Sequence, residues 1–191
     1  MAKDTYHHGS LREALLDAAE DDLRQSPEAV PSVRSLAAKL GVSSTAPQAH
    51  FRTKSDLMTA LAVRGFERLS AALSETETLR GLAEAYIGFA QDNLGIYRLM
   101  FSTGTRLDGD QQLREVSRTA YDTLRAEIAR LFPNATERER NERTLAAWAV
   151  VHGLATLASE GRLSSEAADD TRPATLARIA ADMVGGVTET A

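Results

Sequence analysis

Between Arg34 and Lys54 the sequence gathers side chains able to meet a polyanion: Arg34, Ser43, Ser44, Thr45, Gln48, His50 and Lys54. The hydroxyls and the cations suit phosphate oxygens. Gln48 can both donate and accept, and glutamine pairs well with an adenine edge. Ser43, Ser44 and Thr45 fall where a helix would begin, and capping is compatible with anion contact because free N–H groups point out of a helix N-terminus. Each residue also has a plainer reading. Arg34 and Lys54 can be solvated charges, the hydroxyls can simply cap, and His50 can pack beside Phe51.

Other chemistry finds less material. The four histidines, His7, His8, His50 and His152, form no pair at metal-ligand spacing in a buried segment, and cysteine is absent. No G-x-S-x-G, phosphate loop or dinucleotide fingerprint occurs. The carboxylates fall on helix surfaces, where solvated charge is the default. Neither an enzyme, nor a metal site, nor a cofactor is expected.

A second group lies further along: Phe89, Tyr97, Met100, Phe101, Tyr121, Trp148 and His152. They supply most of the aromatic and soft side chains of the C-terminal half and recur at helical spacing. Core packing accounts for such residues in any bundle. They also suit an apolar pocket, with Tyr97, Tyr121 and His152 as the polar groups that fix orientation. Lysine is absent from these stripes and arginine scarce, so a small, mostly apolar effector fits better than a phosphate or a polycarboxylate.

Helices must position both groups. Ser32 caps a segment that places Val33, Leu36, Ala37 and Leu40 on one face. Gly41 follows, where a helix commonly ends in a left-handed conformation. Ser43 opens a second short helix whose Ala46, Ala49 and Phe51 can face the first. Helix, glycine turn and helix is the layout of a helix-turn-helix. Upstream, the capping box Ser10–Glu13 starts a helix through Leu11, Leu15, Ala18, Ala19 and Leu23. Downstream, Thr53 caps a helix carrying Leu57, Leu61, Gly65, Leu69 and Leu73.

The remainder stays helical. One helix runs from Leu79 to about Asn93, a short apolar segment from Ile96 to Phe101 is stopped by Gly104, and a third spans Leu113 to Leu131. The capping box Thr136–Glu139 opens a helix through Leu145, Trp148, Val151, His152 and Ala155 towards Gly161. Pro173 starts the last helix, striped by Leu176, Ile179, Ala180, Met183 and Val187. No strand-type alternation and no repeat is present. The fold class expected is all-α with about nine helices. Residues 1–53 are expected to form a helix-turn-helix domain with an N-terminal arm, and residues 54–191 a helical regulatory, ligand-binding and dimerisation domain.

At 191 residues the chain can bury a sizeable core. No run approaches the roughly 20 apolar residues of a membrane span. The N-terminus lacks the apolar core of a signal peptide. A cytoplasmic location fits these features. The net charge of -5 runs against a nucleic-acid binder, yet residues 1–68 carry nine basic and nine acidic side chains, so the excess lies beyond them. A local basic face is enough to meet phosphates.

Residues 9–69 resemble the DNA-binding domain of the TetR family of bacterial one-component repressors. The resemblance is carried by Leu15-Leu-Asp-Ala-Ala19, by Ser32 to Ser43, by His50-Phe51 and by Lys54-Ser-Asp-Leu57. Asn93-Leu-Gly-Ile-Tyr-Arg-Leu-Met-Phe101 and Trp148-Ala-Val-Val-His-Gly153 resemble the branch whose regulatory domain bears a Trp-His-Gly signature. The resemblance implies a homodimer formed through the last two long helices and a double-stranded DNA operator as partner. It implies phosphate contact by Lys54, and an effector cavity among the helices carrying the aromatic group. Three positions depart from the family pattern: Gln48 replaces a tyrosine that usually touches phosphate, Ser26 a glycine, and Leu94 a proline. A helical ligand- or partner-binding module that has lost specific DNA binding is the competing expectation.

Overall fold

Pro27 and Pro31, Gly41, Pro133 and Gly161 break the chain into the helices that the apolar periodicity marks out. The computed structural model describes residues 8–102, 110–163 and 171–186. Among them are eight α-helices and one 3-10 turn: α1 His8–Gln25, α2 Val33–Lys39, the 3-10 turn Ala46–Ala49, α3 Lys54–Ser74, α4 Leu79–Asp92, α5 Leu94–Met100, α6 Gln111–Leu131, α7 Glu137–Ser159 and α8 Pro173–Gly186. No described residue lies in a strand. The chain divides into two compact units, one of residues 1–65 with 94–114 and another of residues 66–93 with 115–191.

In the first unit α1 turns Leu11, Leu15, Leu16, Ala18, Ala19 and Leu23 inward, against Leu36, Phe51, Leu57 and Leu61. The helix begins at His8, so Ser10 lies inside its first turn rather than ahead of it. α5 packs along α1. Their approach is close enough that a Cβ on Gly95 would come within 2.5 Å of the Leu23 carbonyl oxygen. Only glycine fits there without moving a backbone.

A polar tie joins α1 to α3. Glu13, Asp17 and Glu20 follow one another at helical spacing, and all three accept from the Arg64 guanidinium, at 2.5, 2.6 and 3.1 Å. Glu20 is buried and Arg64 largely so. Burial alone would lower the arginine's pKa, but the hydrogen bonds to Asp17, Glu13 and Glu20 outweigh it and raise it. The same pairing, with Arg64 as its main cause, holds the Glu13 carboxyl below the usual range. A buried charge is tolerable only when paired in this way.

The second unit packs α4 against α7 and α8, and α7 against α8. α4 buries Leu82, Ala83, Tyr86, Ile87, Phe89 and Ala90, and its Gln91 side chain donates to the Thr171 carbonyl at 2.9 Å. The expected capping box opens α7. Glu139 N–H donates to the Thr136 hydroxyl, and the Glu139 carboxylate accepts from the Thr136 N–H at 2.7 Å. The inward row of α7 is Thr144, Ala147, Val151 and Ala155. Leu145, expected on that row, is exposed. On α8 the buried row is Leu176, Ala177, Ala180 and Val184, while Ile179 and Met183 reach solvent. Gly104 and Val187 lie outside the described residues.

Candidate nucleic-acid interface and regulatory cavity

Ser32 caps α2 as its sequence promises, and Ser35 completes a reciprocal box that the sequence reading did not name. The Ser35 N–H donates to the Ser32 hydroxyl at 3.1 Å, and the Ser32 N–H donates to the Ser35 hydroxyl. Leu36 and Ala37 are buried, with Val33 and Leu40 packed partly against the same core. Gly41 takes φ +67°, the left-handed stop expected of it.

The following segment differs from expectation. In place of a second α-helix from Ser43 there is a single 3-10 turn, Ala46–Ala49. The Ala46 N–H donates to the Ser43 carbonyl and to its hydroxyl, while the N-cap of the turn itself is Thr45, whose side chain makes no capping bond. Pro47 then stands in the first turn without an N–H to donate, and the chain closes i to i+3 bonds instead. Those from Gln48 N–H to Thr45 and from His50 N–H to Pro47 are 3.1 and 2.9 Å. Pro47 also takes the inward position that sequence reasoning gave to Ala49. Pro47 is buried and Ala49 exposed.

This tight turn leaves Ser43, Ser44, Thr45 and Gln48 exposed together, flanked by exposed Arg34 and Lys54. His50 is half-buried. Its Nε2 is enclosed without a hydrogen-bond partner, which makes it the least accessible of the seven candidates. Phe51 is buried under the Arg12 guanidinium, 5.5 Å from the ring centre. Arg52, absent from the sequence candidates, is a further exposed cation beside the turn. Asp56 turns its charge inward on the N-terminus of α3, accepting from the Thr53 and Arg52 N–H groups at 2.9 and 3.0 Å. The Thr53 backbone bond is the main cause that holds its carboxyl below the usual range. The Asp56 carboxylate is therefore already occupied with a helix cap.

In the second unit Trp148 of α7 is the centre of an aromatic cluster. Tyr86 and Tyr121 meet it edge-on, at 5.4 and 5.6 Å between ring centres, and His152 stacks parallel to it at 6.5 Å. The Tyr86 hydroxyl and His152 Nδ1 share a hydrogen bond of 2.9 Å. Burial pushes the His152 pKa below its ordinary value, which favours the neutral ring. Beside Trp148 lies an apolar gap of about 30 Å³, bounded by Tyr86, Leu124, Ala147, Val151, Ala180 and Val184 among others. That volume suits one or two waters. A drug-sized ligand must part the helices to enter.

The sequence candidates for an effector site fall in both units. Phe89, Tyr121, Trp148 and His152 belong to the second, and Tyr97, Met100 and Phe101 to the first. Trp148 lines the gap, Tyr121 and His152 touch Trp148, and Phe89 is buried on α4. In the first unit Tyr97 packs on Phe101 at 5.2 Å, and Met100 is buried.

Residues 79–183 match the model of the tetracyclin repressor-like C-terminal domain, more than half of the chain. The chain belongs to the TetR family. A structure of a protein of unknown function from Rhodococcus sp. RHA1 is similar at 32% identity with a TM-score of 0.77, over 95% of this chain and 97% of that one. SCO4313, whose proposed role is regulatory, is similar at 20% identity and TM-score 0.73, over 97% of this chain and 100% of that one. The TetR family transcriptional regulator PfmR from Thermus thermophilus shares the fold at 18% identity and TM-score 0.64, over 89% and 96% of the two chains. No curated protein matches the sequence significantly.

Membership of the TetR family makes the chain a transcriptional regulator. Among its described residues no helix is long and apolar enough to cross a membrane. The residue that sequence reasoning left out of the aromatic cluster is Tyr86, which figured there only as one apolar position of α4. Its hydroxyl meets a ring 66 residues away. A tyrosine on an otherwise apolar helical stripe was the available signal, because a buried phenol requires a partner.

Proposed function

We propose that the protein is a ligand-responsive repressor that binds a pseudo-palindromic DNA operator as a homodimer and is released by a small, mostly apolar effector. The exposed turn of Ser43, Ser44, Thr45 and Gln48 between the cations Arg34 and Lys54 carries this reading. Residues 1–53 do the reading, and residues 54–191 do the sensing and the assembly. Two copies of the turn would enter successive major grooves about 34 Å apart. The effector would lodge beside Trp148, with Tyr121 and His152 near it, and open the small gap as it enters. The dimer would form through α7 and α8, where Leu145, Ile179 and Met183 are exposed and a side chain at Gly153 would meet open space. Binding of effector and of DNA would weaken each other by one common factor.

The 3-10 turn and Gln48, in place of an α-helix with tyrosine, favour a second reading in which the architecture persists and specific DNA binding is lost. Titrating a duplex from the gene's own upstream region separates the two. On the first reading Lys54→Ala weakens binding to every duplex alike and lowers the salt slope by about one phosphate. Gln48→Ala instead changes which operator is preferred. Wild-type binding that is weak and equal for all duplexes supports the second reading.

A further inference from the structure

A side chain from α1 joins the edge that carries the candidates for DNA contact. The first unit has an open groove of about 400 Å³, lined by Arg12, His50, Phe51, Ser55, Asp56 and Asp110 among others. His50 ends the 3-10 turn and Ser55 follows Lys54, so the groove opens beside those candidates. Arg12 lies far upstream in the chain, and only the packing of α1 against the turn brings it there. Its guanidinium lies over the Phe51 ring, 5.5 Å from the ring centre, and such stacking orients the planar fork. Phe51 is fixed in its turn. It is buried with Leu11, Leu15, Leu57 and Leu61, and its N–H donates to the Pro47 carbonyl at 2.9 Å.

The guanidinium is oriented but not used up. Its side chain keeps 43% of its surface in solvent. Nη1 donates to Glu13 at 3.1 Å, in a pair whose members are both well exposed, and surface pairs of that kind are weak. Glu13 has a shorter bond to Arg64, at 2.5 Å, and keeps that partner when Arg12 turns elsewhere. The two acids of the groove face backbone instead. Asp56 accepts from the Thr53 and Arg52 N–H groups, and Asp110 from the Leu113 N–H at 2.8 Å. Each stands at a helix N-terminus, whose dipole partly offsets its charge. A stacked, accessible fork beside the Ser55 hydroxyl matches the oxygens of a phosphate.

We propose that Arg12 is a DNA-backbone contact, whose guanidinium, held on the Phe51 ring, takes a phosphate beside the bases that the turn reads. The inference rests on the DNA-binding reading above. Phosphate contacts carry no sequence information directly, but they fix the register of a protein on the duplex. Phe51 is bonded to the same turn that carries Gln48. A phosphate held on Arg12 therefore sets where Gln48 stands over the base edges.

The salt dependence of DNA binding tests it. The full-length chain is titrated with a duplex from the gene's own upstream region and with an unrelated duplex, between about 50 and 200 mM salt. Wild type, Arg12→Met and Arg12→Lys are compared. Arg12→Met is expected to weaken binding to both duplexes by about tenfold and to flatten the slope of log K on log salt by about 0.9 for each bound protomer. Arg12→Gln gives the same reading if Arg12→Met loosens the packing on Phe51. Arg12→Lys keeps the charge, so it should keep the wild-type slope while losing affinity, because an ammonium does not reproduce the stacked fork. A wild type that binds neither duplex, or binds without salt dependence, overturns the DNA reading itself. A salt-dependent wild type whose slope survives in Arg12→Met overturns the phosphate contact and leaves Arg12 as packing on Phe51. A slope that falls as far in Arg12→Lys as in Arg12→Met overturns it too, since the change then follows the ring contact and not the charge.

Discussion

The two units are held together by different means. In the first, helices are pinned by polar ties and by close backbone approach: three carboxylates on Arg64, Asp56 folded back on its cap, and α5 resting against the Leu23 carbonyl at Gly95. In the second, the centre is apolar and aromatic, with a gap left beside Trp148 and a tyrosine–histidine bond within the cluster. Directional ties hold one geometry and resist all others. Apolar packing with a gap tolerates rearrangement, since volume can be redistributed without stranding a charge. A regulator needs both. On the proposed function, a reading turn must keep its shape to recognise a sequence, and a sensing cavity must yield to admit its ligand.

The contrast breaks most severely at Arg64. Arg64→Met keeps the stem and removes the guanidinium, depriving buried Glu20 of a partner and releasing Glu13 and Asp17 to water. Breaking buried pairs costs about 3–5 kcal/mol. Because Glu13 and Asp17 are well exposed, about 2–3 kcal/mol is expected, read as a lower denaturation midpoint at unchanged slope. Operator binding should fall with it, since α1 and α3 brace the turn's own core. A loss below about 0.5 kcal/mol, well under that expectation, would mean that the first unit rests on apolar packing just as the second does.

How much of this was legible beforehand follows the range of the interactions. Ser32 with Ser35, Thr136 with Glu139 and the left-handed Gly41 are local, so each could be read from a few adjacent residues. The helices followed from their periodicity. The 3-10 turn was missed because Pro47 shifts a balance of one hydrogen bond, and a capped α-helix has nearly the same sequence signature. Arg64 and Tyr86 were missed for another reason. Their partners lie 44 to 66 residues away, and no local pattern states which helix faces touch.

A second test compares packing directly. Gly95→Ala should destabilise by about 1–3 kcal/mol, because the new methyl meets backbone that cannot turn aside. Val184→Ile adds one methylene beside the gap near Trp148 and should change stability by less than about 1 kcal/mol, in either direction. Thermal unfolding of the two variants side by side measures the difference. If Val184→Ile is the more damaging, the second unit has no slack, and an effector would need a different route in.

The smallest effect expected is a titration at His152. Burial places its folded pKa below the ordinary 6.5, so the unfolded chain binds this proton more tightly. By linkage its contribution is constant above about pH 6.5, and stability falls as the pH drops from there towards the lowered folded value. Below that value the loss is complete. Glu13, Asp56 and Glu139 are held below the usual carboxylate range by their hydrogen bonds, and comparison with His152→Gln separates their titration from that of the ring. Trp148 is the only tryptophan and stacks on the histidine ring, so its emission gives a local readout, an imidazolium being a better quencher than the neutral ring. Wild type should show quenching with a midpoint below 6.5, and His152→Gln should show none in that range. A midpoint at or above that ordinary value would mean that the ring titrates as if in water, and the apolar surroundings that make this cluster a fitting home for a neutral effector would not exist.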